Sequence, residues 1–259
     1  MYFEKEVGLI WDIDGVVADS PHEQAWRVTA ENWGIRNFTS QFYMNWVASR
    51  PRYEGGNNIL EKYGVYRKLG ANTEEERQHI LERFCSQKNT LIRQLIEKRQ
   101  FGIFRDAVSL VLEAKSHGVK QAAVSASKNA KSMLVNIDVY QVEKASGKRY
   151  NFVTPSTTLY SIFDVNVCGI EKGGKLEILR VAAEQLKQKL QEIKWFIVFE
   201  DAPVGIEAAK LANMFGVGIM RIGSEKDFRN AGADIVVNDL NALQYNDLKQ
   251  QFIERHLPR

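Results

Sequence analysis

Five short apolar runs constrain this chain more than any other feature: residues 8–11, 121–125, 196–199, 216–220 and 235–237. Each has the length of a strand and is rich in β-branched or aromatic residues. None alternates apolar with polar, which predicts strands covered on both faces and hence a parallel sheet flanked by helices. Helical patterns separate several of them. "FRDAVSLVLEAKSHGV" carries apolar residues at Val108, Val111, Leu112 and Ala114 and closes on Gly118, a C-cap residue, and "LEILRVAAEQLKQKLQEI" leads into the third run. Strand and helix in alternation predict a doubly wound, Rossmann-like α/β fold whose ligands sit at the carboxyl ends of the strands.

Residues 21–100 break that rhythm. "HEQAWRVTAENW", "NNILEKYG" and "EEERQHILERFCSQKNTLIRQLIEK" are helical in pattern with no strand-like run between them. The spacing predicts a core domain of residues 1–20 and 101–259 that is interrupted by a helical domain over 21–100. Trp26, Trp33 and Trp46 recur on apolar faces there and are read as its core, while the glycines of "RYEGGNN" are read as a loop or a close approach to ligand. Residues 140–159, polar with scattered aromatics, read as an extra loop or hairpin.

Composition removes several classes. The chain has 259 residues, 44% hydrophobic and 26% charged, enough for a packed core. No run approaches the roughly 18 apolar residues of a membrane span, and the N-terminus lacks a basic-then-apolar leader, so the expectation is a cytoplasmic protein without a membrane partner. Cys85 and Cys168 stand alone, which signals neither a zinc site nor a disulfide framework. The net charge of +3 is interleaved with acids and gives no nucleic-acid footprint; a monomer or weak dimer is expected.

The strand ends carry the chemistry. The first run closes on Asp12-Ile13-Asp14-Gly15, the second on Ser125-Ala126-Ser127, and the third on Glu200-Asp201. Neighbouring strands would gather these carboxylates and a hydroxyl on one rim. Like charges so close repel, so the cluster makes sense around a cation, and hard oxygen donors favour Mg²⁺. Asp12 and Asp14, two apart, leave the strand on the same side, Asp12 as a nucleophile and Asp14 as the neighbouring acid and base, while Gly15 turns the chain.

"DIDGVVADS", "VSAS", a glycine-flanked lysine and "FEDAPVGIEAA" together resemble the four motifs of the haloacid dehalogenase superfamily, and more narrowly its β-phosphoglucomutase and small-molecule phosphatase branch with a helical cap. The resemblance implies a phosphoaspartate on Asp12, proton transfer by Asp14, and phosphoryl binding by Ser125 with the Gly15, Ala126 and Ser127 segments beside it. It also implies Mg²⁺ held by Asp12, Asp201 and the backbone carbonyl of Asp14, supported by Glu200. For the active-site lysine, a KGxxL register selects Lys172, with Lys175, also a substrate-binding candidate, left open as the alternative; the KPxPD form of the branch is absent. In the cap, His22, Arg52 and Lys88 resemble positions that contact substrate or its distal phosphate. The implied activity is hydrolysis of a small phosphorylated metabolite, a sugar phosphate, with a phosphosugar mutase as the alternative.

Other motifs fall away on their chemistry. "GIEKGGKL" fits a P-loop until Leu176 stands where Ser or Thr would hold the metal. "DIDG" does not fit an EF-hand, whose glycine belongs at the sixth position. A binding protein that merely keeps the fold would be marked by loss of Asp12, which is present. Dehalogenation needs no metal, whereas Asp14, Glu200 and Asp201 are a metal-type set.

Overall fold

The structure is a computed structural model describing residues 2–48, 50–169 and 174–256. In chain order the elements begin with α1 (Phe3–Glu6), β1 (Val7–Asp12) and β2 (Ala18–Asp19). Then come α2 (His22–Asn32), α3 (Ser40–Trp46), α4 (Arg52–Lys62), α5 (Val65–Lys68) and α6 (Glu74–Glu97). The chain continues through β3 (Gly102–Ile103), α7 (Arg105–Ser116), β4 (Lys120–Ser125), α8 (Ala130–Asn136), α9 (Val139–Ser146), α10 (Leu159–Ile162) and β5 (Val165–Cys168). It ends with α11 (Gly174–Lys189), β6 (Trp195–Glu200), α12 (Pro203–Leu211), β7 (Phe215–Ile219), α13 (Glu225–Asn230), β8 (Ile235–Val237) and α14 (Tyr245–His256). Two compact units result, one of residues 1–19 and 102–259, the other of residues 20–101.

In the first unit six parallel strands run in the order β5-β4-β1-β6-β7-β8. The chain winds outward from β1 through β4 to β5, then crosses back to β6 and winds the other way. The order therefore reverses between β1 and β6, the place where such a sheet opens a crevice for ligand. Every residue of β1 is buried, which is why its sequence is apolar up to the Asp12 that closes it. Register places Trp11 beside Phe199, and their rings stack 3.7 Å apart at 3°, worth about 1 kcal/mol beyond the area buried. The Trp11 indole donates to Gln121 Oε1 at 2.9 Å, and Gln121 donates onward to the Val111 carbonyl at 2.9 Å, so the polar atoms of this buried pair are satisfied. Ile178, Leu179 and Leu186 of α11 close one face against Ile10, Val124 and Val198.

All five expected strands are present, and β5 is a sixth. Its "VNVC" alternates buried with half-buried positions at the sheet edge, so it lacks the uninterrupted apolar run that marks the others. Residues 140–159 are neither a plain loop nor a hairpin. The Asp138 carboxylate accepts from the Gln141 amide at 3.2 Å and starts α9, Gly147 in a left-handed conformation stops it, and buried Glu143 accepts from the Tyr150 amide at 2.6 Å to fold the following turn back.

The second unit is helical. Thr73 and Glu76 form a reciprocal capping box that, with three acids in the first turn, starts the 24-residue α6. Its buried face carries Leu81, Phe84 and Cys85 into a cluster with Trp26, Ile59 and Leu60. Gly55 and Gly56 lie inside α4 rather than in a loop, and both are buried. A Cβ on Gly56 would come within 2.5 Å of Cys85 Sγ, so the glycine lets α4 lie tightly on α6. Trp46 departs from its expected core role: it is 39% exposed, with the Lys62 ammonium 3.2 Å from its ring centroid. Trp26 is buried and Trp33 packs partly buried on the same cluster.

Candidate active site

Because β1 lies between β4 and β6, the carboxyl ends of those three strands bring Asp12, Ser125 and Glu200 to one rim, with Asp201 one residue further. Asp12, Ser125 and Glu200 are buried. One carboxylate oxygen from each of Asp12, Glu200 and Asp201 lies within 4.8 Å of the others. Burial first, and the Glu200 charge second, push Asp12 well above the usual carboxylate range. The same two causes push Asp201 up to about 8.

Lys175, at the start of α11, enters this cluster. Its Nζ is 2.7 Å from Asp12 Oδ1 and 2.7 Å from Glu200 Oε2. Burial alone would lower the pKa of such an amine, but the two carboxylates outweigh it and hold the ammonium charged, above its ordinary range. The residue pressed against the prospective nucleophile is thus Lys175, in the place that the KGxxL register assigns to Lys172; Lys172 lies outside the described residues.

Among the described residues, one ammonium meets three acids here and does not balance them. That surplus of hard oxygen donors in a buried site is what a divalent cation would neutralise, so the residues fit such an ion, held by Asp12, Glu200 and Asp201. The Asp14 carboxylate is not part of that group; the metal contact that the resemblance implies for this residue is through its backbone carbonyl. Gly15 makes the arrangement possible: its φ of +83° suits glycine, and a Cβ there would overlap the Asp201 carboxylate.

Asp14 Oδ2 accepts a hydrogen bond from Ser125 Oγ at 2.7 Å, and the same Oγ accepts from the Ser127 amide at 2.9 Å. Ser125 therefore orients the second aspartate. Ser127 Oγ in turn accepts from the Asn129 amide at 3.2 Å, which fixes the turn on which Ala126 stands exposed.

In the helical unit, buried Lys88 places Nζ 2.7 Å from His22 Nδ1 and 5.0 Å from the Trp26 ring centroid. An ammonium only donates, so Nδ1 accepts and a neutral His22 carries its proton on Nε2. Arg52 is the first residue of α4, half-buried, and its carbonyl accepts from Cys85 Sγ at 3.6 Å. All three cap candidates belong to this unit.

Sequence reasoning did not single out Trp11, Gln121 and Phe199, which brace β1 immediately before Asp12. Nor did it single out Arg221, Asp106 and Phe104, which meet beside the β2–β3 ribbon. A buried glutamine or arginine in a long chain carries no local pattern; its partners are set by the fold.

No protein-family model matches the chain, and no curated protein matches it. Solved structures do. An archaeal β-phosphoglucomutase from the hyperthermophile Pyrococcus sp. strain ST 04 is 34% identical, covering 95% of this chain and 98% of that one with a TM-score of 0.76. A β-phosphoglucomutase from Clostridium difficile is 28% identical over 97% of this chain and 99% of that one, with a TM-score of 0.70. A hydrolase of the haloacid dehalogenase-like family from Streptococcus pneumoniae, 12% identical over 92% and 97% at a TM-score of 0.59, shares the fold. With the acidic rim assembled on the strands that the motifs predict, and with 34% identity over nearly the whole length of both chains, this protein belongs to the β-phosphoglucomutase-like branch of the haloacid dehalogenase superfamily.

Proposed function

We propose that this chain is a Mg²⁺-dependent phosphoryl-transfer enzyme of small phosphorylated sugars that works through a phosphoaspartate on Asp12. The observation that carries this reading is the contact of Asp12 with Lys175, set among Glu200 and Asp201 at the end of the central strand. Asp12 attacks phosphorus; the bond to the departing oxygen breaks, and the Asp14 carboxyl gives that oxygen a proton. Ser125 orients Asp14 through its 2.7 Å hydrogen bond. Lys175 favours the ionised form of Asp12 against burial and the Glu200 charge. A bound Mg²⁺ would supply positive charge for the transferring phosphoryl oxygens and for the carboxylates around them.

The acceptor in the second half-reaction separates two readings. That the 34% and 28% identical structures are β-phosphoglucomutases favours a mutase, in which the phosphoaspartate returns its phosphoryl to a second sugar hydroxyl. Hydrolysis, in which Asp14 takes a proton from water instead, uses the same core residues and is the second reading. His22, Arg52 and Lys88 are proposed as sugar- or distal-phosphate-binding groups of the helical unit, with the His22 Nε2–H a donor suited to a sugar or phosphate oxygen.

The test is a coupled assay for glucose 6-phosphate from β-glucose 1-phosphate, run beside phosphate release from a panel of phosphomonoesters, with Mg²⁺ and with EDTA. Glucose 6-phosphate with little free phosphate establishes the mutase. Mg²⁺-dependent phosphate release alone establishes the hydrolase, and neither product rejects the reading.

A further inference from the structure

Arg221 follows β7 on the same rim as the acids, and it makes a set of contacts that the reaction as described does not use. Its Nη2 donates to both oxygens of Asp106, at 2.9 and 2.7 Å. Asp106 also accepts from the Leu240 amide at 2.7 Å, so its carboxylate ties the start of α7 to the segment after β8. Arg221 stacks its guanidinium 4.1 Å from the Phe104 ring centroid. The pair is largely buried, with side-chain exposures of 15% and 7%, and Arg221 Nε is buried without a hydrogen-bond partner. Among the described residues, one carboxylate and one ring fix where this desolvated guanidinium lies.

What it places is the Asp14 loop. The Phe104 amide donates to the Val17 carbonyl at 3.0 Å, and β3 pairs with β2, Ile103 opposite Ala18. Ala18 in turn bridges to Asp14, accepts from the Gly15 amide at 2.9 Å, and donates to the Ile13 carbonyl at 2.9 Å. A continuous series of contacts therefore runs from Arg221 and Asp106 through Phe104 and the ribbon to the backbone of Asp14.

We propose that Arg221, with Asp106 and Phe104, is a positioning residue for Asp14, fixing through the β2–β3 ribbon where that carboxyl meets the departing oxygen. The proposal rests on the phosphoryl-transfer reading. Its consequence is selective: departure of a sugar alkoxide needs the proton of Asp14, whereas departure of nitrophenolate does not. General acid catalysis contributes about 10²–10⁴-fold, and loosening the clamp forfeits part of it.

The experiment measures Arg221→Met, Phe104→Leu and the charge-balanced double variant Arg221→Met/Asp106→Leu on a sugar phosphate and on p-nitrophenyl phosphate, with Asp14→Asn as reference. Expected is a loss of at least about tenfold in kcat on the sugar phosphate, little change in its KM, and little loss on the aryl ester. Phe104→Leu, which keeps the ion pair, should fall the same way by less. Equal losses on both substrates, or none, overturn the proposal. If Asp14→Asn itself shows no such preference, the acid role of Asp14 in the reaction reading has failed instead. Amide hydrogen exchange decides the coupling without turnover: in Arg221→Met the amides of Gly15, Val17 and Ala18 should exchange faster while those of β4 do not. Unchanged exchange at Gly15–Ala18 overturns the clamp whatever the assay shows.

Discussion

The ammonium of Lys175 sits 2.7 Å from Oδ1 of Asp12, so a buried cation of this rim is bonded to the residue proposed to attack phosphorus. Lys175→Met removes the charge that opposes burial and the Glu200 field at Asp12. Turnover should fall at least about 100-fold, the scale of losing one preorganised electrostatic group. Lys175→Arg should not restore it, because a planar guanidinium cannot occupy the same point between two carboxylates. Steady-state kinetics at fixed Mg²⁺ check this, and turnover near the parent level in Lys175→Met would remove the lysine from the mechanism.

Gly15 makes a second prediction. Alanine at a φ of +83° costs about 1–2 kcal/mol in backbone strain alone. Here the added methyl also overlaps the Asp201 carboxylate, which has to move away from Asp12 and Glu200. Gly15→Ala should therefore weaken metal affinity as well as lower the melting temperature. A Mg²⁺ titration of turnover reads the first effect and a thermal melt the second; a lowered melting temperature with unchanged Mg²⁺ dependence would mean that the carboxylate is free to shift.

Three carboxylates gathered within 4.8 Å also predict that the ion stabilises the fold. At about 100 times its dissociation constant Mg²⁺ would contribute about 2.7 kcal/mol, a rise of roughly 5–10 °C for a domain of this size. Asp201→Asn should abolish most of the rise while the metal-free melting temperature holds or increases, since the variant removes the burial cost and the Glu200 repulsion that together push Asp201 up to about 8. An Asp201→Asn protein that keeps the full Mg²⁺ shift would place the ion elsewhere.

What the sequence disclosed and what it withheld divide along one physical line. Strands buried on both faces announce themselves as apolar runs, so residues around Leu9, Val124, Val198 and Val217 could be read directly, and β8, half-buried at the sheet's other edge, was legible because its three residues are all apolar. The edge strand β5 is half solvated and its Asn166 breaks the run. Asp12, Asp14, Ser125, Glu200 and Asp201 were legible because strand ends put chemistry beside recognisable core. The choice between two lysines three residues apart was not, since it depends on where α11 begins and which way its first turn faces. Gly55 and Gly56 misled for a related reason: a glycine pair looks like a loop until Cys85 is packed against it.

The two cysteines supply a pH prediction. Burial pushes the Cys85 thiol up to about 12. Burial, reinforced by the charges of Asp14 and Asp12, pushes Cys168 up to about 12 as well. Each raised value favours the neutral thiol in the folded protein. The stability it contributes is complete below the unfolded thiol's pKa of about 8.5 and is lost progressively as pH rises from there toward about 12. The melting temperature should accordingly drop between pH 8 and pH 10, within about the range where unfolded thiols ionise. At pH 8.5 iodoacetamide should label both cysteines at least about 100-fold more slowly in the folded protein than in urea, because the thiolate is the nucleophile. Mass spectrometry separates the two sites. Rapid native labelling of Cys168 alone would mean that the rim next to Asp14 opens to solvent far more often than its buried carboxylates imply.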